Sequence, residues 1–231
     1  MNRQALKLLG LSTLVTLGIV SYIVLAANVP CHLAPSTTTT CNGTPGNDVI
    51  TYLSGFNTNV NTVNGGAGND RILIDFRLTQ TLTINGDEGN DFIGDSEAAN
   101  TLNGGPGNDR IFGNGGADRI DGGPGNDLID GGTGTDTGTG TGNPVSGGGG
   151  NDTFILRRGD AGGGTENIAC TMNETDRGVL RLIGFSRQDL VVQGLRPGML
   201  PQKSTVEIRD GTTSGKFSIN TGPGTCVLTT R

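Results

Sequence analysis

The sequence predicts an all-β protein, a parallel β-roll or β-solenoid of stacked nonapeptide repeats with a β-rich C-terminal extension or cap. One observation is a block of four successive nonapeptides, residues 104–139, with the pattern G-G-x-G-x-D-x-U-x, where U is a large apolar residue. Repeats of this period are typical of solenoids with cation sites at their turns. The other is composition: 42 glycines and 32% hydrophobic residues in 231 suit a fold that uses one interior residue per strand.

The repeat extends beyond this block. Further units that fit the pattern fully or with one substitution cover residues 43–51, 65–73, 86–94 and 147–155. Between them lie degenerate units, such as residues 95–103, which keep only the apolar position. The eighth residues of the clear units are Ile50, Ile72, Ile93, Ile111, Ile120, Ile129, Gly138 and Phe154. We expect these mostly β-branched side chains to form the interior wall, with an empty slot at Gly138.

The spacing of the repeats predicts the length of a coil. Units that begin at Gly86, Gly104 and Gly122 are 18 residues apart, so one coil contains two nonapeptides; the first two coils are three or four residues longer. Alternate repeats then lie on the same edge, and their sixth residues form two ladders. The first ladder is Asp48, Asp70, Asp91, Asp109 and Asp127. The second is Asn61, Leu82, Asn100, Asp118, Asp136 and then Asp152, if residues 140–146 form a shortened half-coil.

Stacked carboxylates predict a bound cation. Adjacent coils lie roughly 4.8 Å apart, the strand spacing of a sheet. Two carboxylates about 5 Å apart repel by about 0.8 kcal/mol in water and about 3 kcal/mol at an effective dielectric constant of about 20. A hard divalent ion between the rungs removes this repulsion. Ca²⁺ is favoured because it accepts six to eight oxygen ligands in flexible geometry, here carboxylates and the carbonyl groups of the glycine turns.

These units resemble the repeats-in-toxin (RTX), or hemolysin-type, calcium-binding nonapeptides of exported bacterial proteins. The resemblance covers residues 43–155 and implies a β-roll with calcium between successive turns. It also implies that calcium outside the cell triggers folding. It implies that the side-chain ligands are Asp48, Asp70, Asp91, Asp109, Asp118, Asp127, Asp136 and Asp152. The turn backbone would contribute at Gly65, Gly68, Gly104, Gly107, Gly122 and Gly125. The pattern departs from the family at the second glycine, where this chain has Thr44, Asp87 and Asn114.

The expected sites lie mainly along the first ladder, between rungs 48/70, 70/91, 91/109 and 109/127. Further sites are expected between rungs 118/136 and 136/152.

The N-terminal segment of the chain predicts export. Residues 1–27 form a signal peptide or a membrane anchor, since Arg3 and Lys7 precede the uncharged apolar run 8–27. Both alternatives place the remainder outside the cytoplasm, secreted or at the cell surface. Residues 28–42 form a Thr-rich lead-in, residues 43–155 the calcium-binding β-roll and residues 156–231 a β-rich C-terminal region. The four cysteines allow three pairings, of which Cys31–Cys41 and Cys170–Cys226 are preferred.

The remaining composition narrows the function. A net charge of −6 disfavours a nucleic-acid partner. His32 is the only histidine, so an H-E-x-x-H metalloprotease motif is impossible. We therefore expect a calcium-binding protein of structural or interaction type, not an enzyme. The alternatives are an exported enzyme or toxin-like protein acting on a surface polymer, and a calcium-dependent adhesin. A surface or matrix partner remains unidentified.

Overall fold

The computed structural model of the protein describes residues 28–30, 39–54, 59–138, 145–161, 164–171, 173, 175–186, 197–203, 205–209 and 216–230. Within these ranges the secondary structure is all β. The strands are β1 (Asn28–Pro30), β2 (Thr40–Asn42), β3 (Val49–Tyr52), β4 (Thr62–Ala67), β5 (Arg71–Ile74), β6 (Thr83–Glu88), β7 (Phe92–Gly94), β8 (Thr101–Asn103), β9 (Arg110–Phe112), β10 (Arg119–Asp121), β11 (Leu128–Asp130), β12 (Val145–Ser146), β13 (Thr153–Arg157), β14 (Thr165–Ala169), β15 (Arg177–Ile183), β16 (Gly198–Met199), β17 (Thr205–Arg209), β18 (Lys216–Asn220) and β19 (Thr225–Thr229).

From β1 to β15, successive strands alternate between two sheets. The first sheet has the order β1-β3-β5-β7-β9-β11-β13-β15-β19-β16, and the second has the order β17-β18-β14-β12-β10-β8-β6-β4-β2. All neighbours in both sheets are parallel except the pairs β16–β19 and β17–β18. Each nonapeptide thus supplies one glycine-rich turn and one short strand, and two nonapeptides complete a coil. The predicted parallel β-solenoid is confirmed.

The interior consists of two facing columns of apolar side chains. In the first sheet, Ile50, Ile72, Ile93, Ile111, Ile129 and Phe154 lie at matching register positions. Each of them is at most 1% exposed. In the second sheet the column includes Val63, Ile84, Leu102 and Ile120. Burial of one such side chain contributes about 1.5–3 kcal/mol, so the columns supply the apolar driving force that an isolated repeat lacks.

The expected empty slot at Gly138 is wrong. Thr137 still bridges to Arg119, which it follows by one coil. The next strand pair, however, joins Asp121 to Ser146, which brings Val145 level with Ile120. Val145 is 1% exposed. Gly138 has no side chain to fill this interior position, and Val145 fills it instead.

The parallel stacking is longer than the repeat pattern. At its start, β1 pairs with β3 and β2 pairs with β4. After residue 155, β15 and β19 extend the first sheet, while β14 and β18 extend the second. The antiparallel strands β16 and β17 then cover the last parallel strand of each sheet. This arrangement matches the expected β-rich extension or cap, since antiparallel strands end the parallel stack.

A disulfide joins Cys170, directly after β14, to Cys226 in β19, with a Cα–Cα distance of 6.0 Å. It is the pairing expected from the sequence, and it links the two sheets near the C-terminal end of the stack. Cys41 is also disulfide-bonded. The expected partner Cys31, the expected targeting segment 1–27 and His32 lie outside the described residues. In the part of the chain that the structure describes, no helix has the length and apolar character needed to cross a membrane.

Candidate metal sites at the two turn edges

The turns between strands form two edges of the solenoid. The turns that precede the strands of the first sheet form the first edge, and those that precede the strands of the second sheet form the second edge. The second residue of most turns has a left-handed backbone: Gly105 has φ 103°, and Asp87 and Asn114 reach φ 70° and 64°. Asp and Asn are the non-glycine residues that tolerate this region best, so these two departures from the repeat preserve the turn.

The sixth residues of the first edge form a continuous hydrogen-bonded ladder. The backbone N–H of each aspartate donates to Oδ1 of the aspartate one coil later. The bonds are Asp48–Asp70 (2.7 Å), Asp70–Asp91 (2.7 Å), Asp91–Asp109 (2.7 Å), Asp109–Asp127 (2.8 Å) and Asp127–Asp152 (2.9 Å). One oxygen of every later carboxylate therefore binds the preceding coil.

The assignment of Asp152 to the second ladder is wrong. The structure places Asp152 on the first edge, after Asp127, and not on the second edge after Asp136. The pairing of β11 with β13 requires this position, because Leu128 lies opposite Thr153. On the second edge, the coil after Asp136 instead brings Asp160, whose backbone carbonyl accepts a hydrogen bond from Gly134 (2.7 Å). The expected rung 136/152 is thus replaced by rung 127/152.

The second carboxylate oxygens are buried and have no hydrogen bond. This holds for Oδ2 of Asp70, Asp91, Asp109 and Asp127 on the first edge, and of Asp118 and Asp136 on the second. These side chains are at most 3% exposed. A buried acceptor without a donor destabilises a fold by about 1–3 kcal/mol, and more when it is charged. Each such oxygen is therefore positioned for a ligand that the protein itself does not supply.

Because it has no side chain, the first glycine of each regular turn can lie directly against these oxygens. A Cβ added at Gly104 would lie within 3.0 Å of both Asp109 Oδ2 and the carbonyl oxygen of Gly122 in the next coil. The same pair of oxygens, one carboxylate and one carbonyl, surrounds the equivalent position at Gly65 and at Gly86. Carboxylate and carbonyl oxygens are the ligands that calcium prefers. The donor set therefore fits a hard divalent cation.

The fourth glycines of the turns bring successive turns together. Gly68, Gly107 and Gly125 have φ values of 126°, 154° and 153°. A Cβ at Gly107 would collide with the carbonyl group of Gly89 in the preceding coil. These expected backbone positions therefore make the close approach of successive turns possible.

Burial raises the pKa of the ladder carboxyls. Loss of solvation, together with the repulsion of neighbouring carboxylates, raises the pKa of Asp91 and Asp127 to about 7. Burial also raises the pKa of Asp109 and Asp152 to about 6 and that of Asp70 above its ordinary value. In every case the backbone N–H of the preceding coil opposes the rise. Ionised carboxylates in this ladder are costly unless a positive charge accompanies them.

The first rung differs from the others. Thr44 occupies the position of the second glycine, and its Oγ1 donates to the carboxylate of Asp48 at 3.0 Å. The backbone N–H of Thr44 also donates to Asp48 Oδ2. Because these bonds lie within one turn, the protein itself satisfies the carboxylate that begins the ladder.

The second edge acquires its aspartates only halfway along the stack. Asn61 is exposed, and Leu82 fills its position with a buried apolar side chain. Asn100 then accepts the N–H of Leu82 (2.6 Å), and Asp118 accepts that of Asn100 (2.8 Å). Asp136 accepts the N–H of Asp118 (2.9 Å). Burial raises the pKa of Asp118 to about 9 and that of Asp136 to about 7.

Sequence reasoning missed a second ladder on the first edge, formed by the fifth residues of the repeats. Each asparagine there accepts, through Oδ1, the backbone N–H of the equivalent residue one coil later. The asparagines are Asn47, Asn69, Asn90, Asn108, Asn126 and Asn151. The signal was the recurring Asn-Asp pair. Hydrogen bonds of this kind contribute about 1 kcal/mol each, so the asparagines strengthen the stack around the aspartates.

The nature of the ligands favours calcium over zinc. Among the described residues, no group of three or more His, Cys, Asp and Glu side chains could hold a metal ion. Each site must therefore combine one or two carboxylates with backbone carbonyl oxygens. Such oxygen-only sites suit Ca²⁺, whereas structural zinc sites use Cys and His.

The fold and the two ladders define a class of protein: a parallel β-solenoid with oxygen-lined cation sites between its turns. A comparison with family models agrees. The model of the RTX calcium-binding nonapeptide repeat matches the chain four times, at residues 57–73, 83–102, 94–129 and 103–138. The chain therefore contains RTX calcium-binding repeats within its parallel β-solenoid, and the resemblance noted from the sequence is confirmed. No curated protein matches the chain.

Proposed function

We propose that the protein is an exported calcium-binding β-roll whose folding is coupled to calcium, with a structural or interaction role and no catalytic one. The observation that carries the proposal is the column of buried Oδ2 atoms that lack a hydrogen bond. Except at Asp136, each lies beside a turn carbonyl of the next coil, as at Gly104. The coils thus supply negatively charged and carbonyl oxygens, and the cation supplies the positive charge that balances them.

Calcium coupling follows from the electrostatics of the ladder. The ionised carboxylates oppose folding, because burial and like charges raise their pKa values. A cation that binds the folded coils and not the unfolded chain stabilises the fold by about 2.7 kcal/mol per site at a concentration one hundred times its Kd. Several such sites together offset much of the cost of burying the ionised ladder carboxylates. Calcium therefore acts as the switch between an unfolded and a folded chain.

Two features support export. The uncharged apolar run at residues 8–27 has the length and the preceding positive charges of a targeting segment. The Cys170–Cys226 disulfide is of a kind that persists in oxidising compartments. Outside the cytoplasm the position-six aspartates would meet calcium and fold the chain. The same aspartates are occupied by stacking and by cation binding, which supports a non-catalytic role.

Far-UV circular dichroism of the full chain tests the proposal. Addition of calcium chloride to the metal-free protein should increase the β signal, and a chelator should reverse the change. Magnesium chloride should act more weakly, because Mg²⁺ demands near-octahedral geometry and gives up its waters reluctantly. A β signal that is the same with and without calcium would overturn the proposal.

A further inference from the structure

The repeat at residues 95–103 carries its carboxylate at a different position from the other repeats. Asp95 occupies the first position, which is glycine in the clear repeats, and Asn100 occupies the sixth. In regular repeats the backbone N–H of the first residue donates to a backbone carbonyl of the next coil, as Gly113 does to Asp130. The N–H of Asp95 does the same, donating to the carbonyl oxygen of Phe112 at 2.9 Å. The degenerate repeat therefore keeps the backbone bond that stacks its first residue on the next coil.

The side chains of Asp95 and Asn100 together reproduce the aspartate of a regular repeat. In a regular repeat, Oδ1 of the sixth residue accepts an N–H from the preceding coil and Oδ2 faces the first residue. Asn100 Oδ1 accepts the N–H of Leu82 at 2.6 Å, and Asn100 Nδ2 donates to both carboxylate oxygens of Asp95 at 2.9 Å. The negative charge has thus moved from the sixth position to the first.

A second buried carboxylate, that of Asp118, lies in the next coil on the same edge. Asp118 is 0% exposed, and its Oδ2 has no hydrogen bond. That oxygen lies 2.7 Å from where a Cβ of Gly113 would be, and Gly113 follows Asp95 in the stack of first-position residues. The charges that act on Asp118 are all acidic: Asp95, Asp136 and Glu97. Among the described residues, no positive group acts on either of these two buried carboxylates.

We infer that Asp95 and Asp118, with turn carbonyl oxygens, hold a calcium ion between their two coils on the second edge. The inference rests on the proposed function and extends it. It adds a site one coil before the first Asp–Asp rung, in a repeat that lacks the position-six aspartate. Two carboxylates take part, in keeping with the absence of a three-residue acidic group among the described residues. Glu97 is exposed and is not a ligand.

Counting bound calcium in the full chain tests this site. Equilibrium dialysis against radioactive calcium at saturation should give one ion fewer for Asp95→Asn than for the unaltered protein. The double variant Asp95→Gly with Asn100→Asp returns the carboxylate to its regular position and should restore the full number. Glu97→Gln is the matched control, because it removes an exposed charge from the same repeat, and its count should not change.

Each outcome decides a different question. If the unaltered protein binds no calcium, the proposed function fails. If it binds calcium and Asp95→Asn binds the same number with the same affinity, only this inference fails, and Asp95 is a structural partner of Asn100. If Asp95→Asn does not fold with calcium, the double variant decides: recovery of both fold and full count supports the site, and absence of recovery overturns it.

Discussion

The replacement of Asp109 by asparagine distinguishes the roles of the two carboxylate oxygens of this residue. In the unaltered protein, Oδ1 of Asp109 accepts a hydrogen bond from the N–H of Asp91 at 2.7 Å. Asparagine keeps this Oδ1 but replaces the charged Oδ2 with an uncharged amide nitrogen. The stack should therefore survive while the site loses a ligand. We expect the effect on stability to change sign with calcium concentration.

The magnitude follows from burial. Asp109 is 1% exposed, and loss of solvation raises its pKa from 3.8 to about 6. At about 1.4 kcal/mol per pKa unit, ionisation costs the calcium-free fold about 3 kcal/mol above that pKa. The variant avoids this cost at low calcium. At a concentration one hundred times Kd, it loses about 2.7 kcal/mol for each site that requires the carboxylate.

The assay is urea unfolding, followed by far-UV circular dichroism at a series of free calcium concentrations and about pH 8. The series begins at the lowest calcium concentration at which each protein folds. The unfolding free energy plotted against the logarithm of calcium concentration should rise less steeply for the variant, and the two plots should cross. Glu88→Gln, which removes an exposed carboxylate from the same edge, should follow the unaltered protein. Parallel plots for Asp109→Asn and the unaltered protein would refute a calcium ligand at Asp109.

Other positions give independent tests. Gly104→Ala should abolish calcium-induced folding, because its Cβ would collide with a carboxylate and a carbonyl oxygen; Gly94→Ala, which meets side-chain atoms at 3.2 and 3.5 Å, should fold, and equal calcium titrations of the two would contradict the cradle. Ile111→Ala removes a fully buried side chain and should lower the unfolding free energy in calcium by about 2–5 kcal/mol; a loss below about 1 kcal/mol in urea titrations would argue against a packed column. Without calcium, the raised pKa of Asp91 makes its contribution to stability fully present below about pH 4 and lost as pH rises through about 7. The metal-free chain should accordingly show more β signal near pH 4 than near pH 8, and a pH titration with the opposite trend would exclude this linkage.

The repeat pattern predicted much of the fold because the physical demands of a solenoid are periodic. Eighth residues such as Ile72 and Ile111 recur once per coil, and the structure stacks them in one buried column. The 18-residue coil likewise predicted the first aspartate ladder from Asp48 to Asp127. The hydrogen bonds that join its members have sequence separations of 22, 21, 18 and 18 residues.

The pattern was insufficient where the period breaks. Asp152 was assigned to the wrong edge because the number of residues between repeats does not show where the chain rejoins a sheet. The structure decides this by pairing Ser146 with Asp121, which brings Val145 into the apolar column and moves the next aspartate to the first edge. The benefit of filling the interior outweighs the regular spacing, and that benefit depends on contacts between distant residues.

By itself, the sequence determined the architecture, the spacing of the coils and the type of ligand, since these follow from local turn chemistry repeated at a fixed period. Only the tertiary structure decided which role each of the two carboxylate oxygens of an aspartate takes. Oδ1 of Asp109 binds the preceding coil, while Oδ2 is left buried without a partner. It also decided that Asp95 supplies a charge in a repeat without a position-six aspartate. Both depend on the neighbouring coil, because an isolated nonapeptide has neither an N–H donor above its aspartate nor a carbonyl group beside it.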